Sequence, residues 1–96
     1  MQAELQDIQD RIRTVLLAHN IRKAGLYGSR VRGDHLPESD LDLVIESPDS
    51  FSLYDLIGLQ QELSAALGIE AHVTTYRSLH PRMRDDILKD ELQLFE

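Results

Sequence analysis

The sequence predicts an α/β (α+β) domain, a small sheet backed by helices on one face. Three observations predict it: two long segments with apolar residues at helical spacing, short apolar runs between them, and Asn or Gly where the long segments should end. Leu5, Ile8, Ile12, Val15 and Leu16 recur every three or four residues, so residues 3–19 form an amphipathic helix that Asn20 stops. Residues 21–27 suit a short strand running into a tight turn at Gly28-Ser29. Residues 29–39 are polar, with Gly33 and Pro37 as breakers, and read as a short helical turn followed by loop. Residues 41–45 are apolar apart from Asp42 and carry Val44 and Ile45, the strongest strand pattern in the chain. Leu53, Leu56, Ile57, Leu63, Ala66 and Leu67 predict a helix over 52–67, capped by Gly68. Residues 69–75 form a third strand. Pro81 opens a last helix over 80–90, with Met83, Ile87 and Leu88 on one side, and Leu92, Leu94 and Phe95 form an edge strand or a packed tail.

With 96 residues the chain is expected to be a single domain, 1–96, and 42% hydrophobic against 28% charged residues is ordinary globular composition. Ten Lys and Arg against 17 Asp and Glu leave a net charge of −7, which argues against stable nucleic-acid binding and against an anionic membrane surface. The absence of Cys removes a disulfide frame, a thiolate zinc site and a thiol nucleophile. No apolar run approaches the roughly 20 residues of a membrane span, and Met1-Gln-Ala-Glu-Leu-Gln-Asp7 is not a basic-then-apolar signal sequence. The expectation is a soluble cytoplasmic protein.

The chemistry concentrates in Gly28-Ser29 and, ten residues on, Asp40-Leu41-Asp42. Side chains alternate along a strand, so Asp40 and Asp42 share one face while Leu41 and Leu43 take the other. Two neighbouring carboxylates repel unless they are solvated or a cation lies between them, and Mg²⁺ takes such oxygen ligands together with water and phosphates. Gly28 allows a sharp turn and a close backbone approach to phosphate. Ser29 adds a hydroxyl and a backbone N–H at a helical start, where an anion is favoured, and Arg30 and Arg32 offer countercharge. Together these outline a nucleoside triphosphate site. The bland alternatives are a strand-ending turn for Gly28-Ser29, a solvated loop edge for Asp40 and Asp42, and surface charge for Arg30 and Arg32.

Gly28-Ser-Arg-Val-Arg-Gly33, Ser39-Asp-Leu-Asp-Leu-Val-Ile-Glu46, the following helix and Ser78-Leu-His-Pro-Arg82 resemble the minimal nucleotidyltransferases of the DNA polymerase beta superfamily over nearly the whole chain. The stand-alone members are commonly MntA-type antitoxins paired with a small helical HEPN toxin. The resemblance implies a polymerase beta-like fold with a small mixed sheet. It implies that Gly28 and Ser29, with Arg30 and Arg32, hold the phosphates of ATP, and that Asp40 and Asp42 are the catalytic, metal-binding pair for two Mg²⁺ ions. The third family carboxylate, on the strand after the long helix, aligns with His72. Imidazole is a poorer Mg²⁺ ligand than carboxylate and carries no negative charge. Glu70, two residues earlier on the same face, is a partial substitute; His72 as general base is another reading, and a half-buried strand histidine with one partner is a third.

The leading expectation is therefore an enzyme: a Mg²⁺-dependent nucleotidyltransferase that moves AMP from ATP to a hydroxyl on a protein partner, the HEPN toxin of such a pair. A degenerate fold that blocks its toxin by contact alone is the rival reading. Self-association through surplus apolar surface stays open. Among the remaining histidines, His19 reads as a helix C-terminal residue and His80 as the entry to the last helix, and Tyr27 reads as core beside the turn.

Overall fold

A computed structural model describes residues 2–28, 31, 33 and 40–95. The first helix, α1, spans Gln2–Ala18 and buries Ile12 and Leu16 completely, with Ile8 and Val15 beside them. Asn20 ends it in the left-handed region at φ 64°. The Ile21 N–H reaches back to the Leu16 carbonyl at 2.9 Å and the Asn20 N–H to Leu17 at 3.1 Å, the double bond of a Schellman cap, and Ile21 and Leu16 are both fully buried. Because Ile21 is used in this cap, the first strand is shorter than its apolar pattern suggests: β1 is Ala24–Tyr27.

Strand β2 (Leu41–Ile45) pairs antiparallel with β1, and the second long helix, α2 (Leu53–Leu67), carries the chain over to β3 (Ala71–Thr75), parallel to β2. A helical crossover between neighbouring strands requires that parallel arrangement. A 3₁₀ turn at Tyr76–Ser78 leads to α3 (Pro81–Asp90), entered through the His80 side chain, whose Nδ1 accepts from the Arg82 N–H at 3.1 Å. The short β4 (Leu92–Gln93) adds antiparallel to β1, giving a mixed sheet of order β3-β2-β1-β4.

Ala24, Leu26, Leu41, Leu43, Ile45, Ala71 and Val73 line one sheet face and, with Ile12 and Leu16 of α1 and Leu59 and Leu63 of α2, form the core. Each buried Leu or Ile contributes about 1.5–3 kcal/mol. The buried side of α2 matches the expected stripe at Leu63, with Leu56 and Leu67 packed against the core, and differs from it in that Leu59 is buried whereas Leu53 and Ile57 are exposed. On α3, Met83 and Leu88 are likewise exposed. The second sheet face is not bare either. Val44 is fully buried there, α3 touches β1, and Glu91 lies over Gly25, held by the Tyr76 hydroxyl. No helix among the described residues is long and apolar enough to cross a membrane.

Candidate active site

The site lies where β1 ends and β2 and β3 begin. The antiparallel register sets Tyr27 opposite Asp42, and the parallel register sets Asp42 beside His72, so these three share one row on the face away from the core. Leu41 and Leu43 anchor β2 in the core, and period-two alternation therefore turns Asp42 outward, as expected from the sequence.

Gly28 follows β1 with φ 86°, a region that a side chain makes costly, and a turn begins there with the Val31 N–H bonded to its carbonyl at 3.2 Å. The space a Cβ would take at Gly28 is already filled: the Asp42 Oδ2 would lie 2.7 Å from it. Glycine thus permits both the turn and the approach of the Asp42 carboxylate. Burial, and secondarily the Asp42 charge, push the Tyr27 hydroxyl pKa above its ordinary value. Tyr27 is half-buried beside the acidic row rather than inside the core.

Asp40 faces a different neighbour. Its Oδ2 is 2.9 Å from the Nε2 of His72, with both side chains about half exposed (46% and 50%). A contact that open to water is worth about 0–1 kcal/mol, so it is readily exchanged for another partner. Glu70 stands beside them, its carbonyl accepting the Leu41 N–H at 2.9 Å. One ligand atom from each of Asp40, Glu70 and His72 falls within 4.8 Å of the others, and all three residues are exposed. This donor set, two carboxylates and an imidazole open to solvent, fits a divalent cation that keeps positions for water or phosphate.

The structure therefore brings together Gly28, Asp40, Asp42 and His72, and adds Glu70. Ser29, Arg30 and Arg32 lie outside the described residues, as do Asp34, His35 and Glu38. His19 is remote and structural, its Nε2 meeting Glu62 Oε2 at 3.1 Å. The place of Tyr27 next to Asp42 was not evident from the chain, because it follows from the β1–β2 register; the pattern of alternation alone gives only its face.

Residues 9–94 match the family model described as a nucleotidyltransferase domain. A proposed protein adenylyltransferase of Methanocaldococcus jannaschii is 36% identical over 90 residues, covering 94% of this chain and 97% of its own. The protein adenylyltransferase MntA of Thermococcus cleftensis is 28% identical over 84% of this chain and 90% of its own. Two solved structures share the fold: a toxin–antitoxin complex with AMP-PNP (TM-score 0.81, 21% identity, 91% of this chain and 72% of that one), and a tri-AMPylated Shewanella oneidensis HEPN toxin with its MNT antitoxin (TM-score 0.76, 20% identity, 94% and 71%). With a family match over residues 9–94 and a relative 36% identical over nearly its full length, the chain belongs to the nucleotidyltransferase domain family and is a minimal nucleotidyltransferase.

Proposed function

We propose that this protein is the antitoxin of a HEPN/MNT pair and transfers the adenylyl group of ATP to a hydroxyl of its HEPN partner in a Mg²⁺-dependent reaction. The observation that carries the reading is the Asp42 carboxylate packed against the Gly28 turn while Asp40 meets His72, the residue paired with Asp42 on β3. Support for the acceptor comes from relatives named as protein adenylyltransferases and from the AMPylated HEPN toxin bound to a protein of the same fold.

The partner's hydroxyl oxygen forms a bond to the α-phosphorus, the bond from that phosphorus to the oxygen bridging to the β-phosphate breaks, pyrophosphate leaves, and the hydroxyl proton passes to solvent. Gly28 admits the triphosphate close to the backbone, and Ser29, Arg30 and Arg32, which follow it, supply donors and countercharge. In this reading Asp40 and Asp42 hold the cation, with His72 beside them at 2.9 Å from Asp40. Bound Mg²⁺ supplies neutralisation of phosphate charge and acidification of a coordinated hydroxyl. A net charge of −7 favours a protein acceptor over a polynucleotide one.

The test is label transfer from α-labelled ATP to a purified HEPN-type partner protein, with calorimetry of ATP binding alongside. Wild type should label the partner, and the Asp40→Asn, Asp42→Asn double variant should lose both transfer and Mg²⁺-dependent ATP binding. Tight partner binding and intact ATP binding without transfer would overturn the enzyme reading and leave inhibition by contact.

A further inference from the structure

We infer that Gln60 and Ser64 are positioning residues for the transfer site: from α2 they clasp the outer edge of β3 on both sides of His72 and so hold His72 against Asp40. This rests on the adenylyl-transfer reading for its kinetic readout alone; the clasp itself is carried by the geometry.

Among the described residues β3 is the outermost strand on its side of the sheet, so β2 is its one strand neighbour. His72 stands between Ala71 and Val73, whose N–H groups turn away from β2 towards the helix. The Ala71 N–H donates to Ser64 Oγ and the Val73 N–H to Gln60 Oε1, each at 2.9 Å. On an outer strand such donors ordinarily meet water, and here two successive ones are satisfied by side chains of a single helix.

The two elements match in pitch. Gln60 and Ser64 are about 6 Å apart along the helix, and Ala71 and Val73 are about 6.6 Å apart along the strand. The order is reversed, with Ser64 meeting Ala71 and Gln60 meeting Val73, because the chain turns back at Gly68 in the left-handed region. Leu59 and Leu63 are fully buried. One residue further on, the helix has turned by about 100°, which carries Gln60 and Ser64 from the core to the strand edge. With its phase fixed in this way, α2 cannot slide along β3 without breaking both bonds.

The consequence falls on His72. Its side chain is about half exposed, so packing does little to fix it, and its place is set by its backbone and by the 2.9 Å contact with Asp40 Oδ2. The clasp holds that backbone at the residue before and the residue after. On the inner side the bond from the Leu41 N–H to the Glu70 carbonyl holds the start of the strand to β2. Without the clasp the outer edge of β3 is free to shift, and His72 then samples rotamers in which the contact with Asp40 is absent.

The experiment compares the wild-type chain with the Gln60→Leu, Ser64→Ala double variant, which deletes both acceptors, and with the Gln60→Glu, Ser64→Thr double variant, which keeps an oxygen at each place. Nuclear magnetic resonance reads the three-bond couplings about the His72 Cα–Cβ bond and the amide exchange of Ala71 and Val73; label transfer from α-labelled ATP to the HEPN-type partner gives kcat and KM. All are measured well below the melting temperature of each variant. Wild type should show one His72 rotamer and two protected amides. Deleting the acceptors should average the couplings and speed exchange at both amides at least about tenfold. It should also lower kcat by about tenfold while KM for ATP stays within about twofold. The oxygen-keeping variant should restore the rotamer, the protection and kcat. If the acceptor-deleting double variant does not fold, Gln60→Leu and Ser64→Ala are measured singly, each against its own amide. A single His72 rotamer in the folded acceptor-deleting variant, an unchanged kcat, or a kcat loss that the oxygen-keeping variant does not rescue would each overturn the inference. Absence of transfer by wild type removes the proposed function, and the couplings and exchange then decide the clasp; transfer by wild type with couplings and exchange unchanged in the acceptor-deleting variant keeps the proposed function and overturns this inference.

Discussion

Replacing Gly28 with Ala places a methyl group where the structure has a carboxylate. Two costs add. Holding a residue with a side chain at φ 86° costs about 1–2 kcal/mol. The new Cβ would stand 2.7 Å from Asp42 Oδ2, so that carboxylate must swing from its position, adding about 0.5–1.5 kcal/mol of rotamer strain. The expected loss is about 1.5–3.5 kcal/mol, or about 6–28 °C in melting temperature for a domain of this size. Gly68→Ala is the reference, since Gly68 also has a positive φ, 68°, but nothing lies within 4 Å of its Cβ position. It should cost only the backbone part. Thermal melting of both variants, with Gly28→Ala repeated in an Asp42→Ala background, separates the two contributions. The Gly28→Ala cost should fall by about 1 kcal/mol when the Asp42 carboxylate is removed. Equal costs in both backgrounds would refute the apposition of Gly28 and Asp42 on which the site is built.

Two further outcomes test the C-terminal segment. Burial first, and then the hydrogen bond to Glu91 and the charges of Glu91 and Glu46, push the Tyr76 hydroxyl pKa well above its usual value. The unfolded chain therefore deprotonates first, so stability is fully present below about pH 10 and is lost as pH rises above it; melting curves from about pH 8 to about pH 11 should fall less steeply for Tyr76→Phe, and parallel curves would discard the coupling. Gly25→Ala puts a methyl group into the space of the Glu91 side chain, costs about 1–3 kcal/mol, and should speed amide exchange at Leu94, whose N–H bonds the Ala24 carbonyl at 2.9 Å; unchanged exchange there would contradict the packing.

What could be read from the chain alone was whatever depends on neighbours a few residues away. Helix ends at Asn20, Gly68 and His80-Pro81 follow from backbone conformations that particular residues favour, and they stand where the pattern puts them. Asp40 and Asp42 are expected on one face because side chains alternate along a strand, and that expectation is what made them the candidate pair. The partner of each carboxylate was out of reach. Whether Asp42 meets Gly28, and whether Asp40 meets His72 and Glu70, depends on the register of β2 against β1 and β3, which joins residues up to 32 positions apart. Packing likewise chose which side of α2 is buried: Leu53 and Ile57 fit the helical stripe as well as Leu59 and Leu63 do, but only the latter pair faces the sheet and α1. Periodicity identifies an apolar face; the position of the surface that covers it is settled by non-local contacts, and the same contacts set Asp42 against Gly28 and Asp40 against His72.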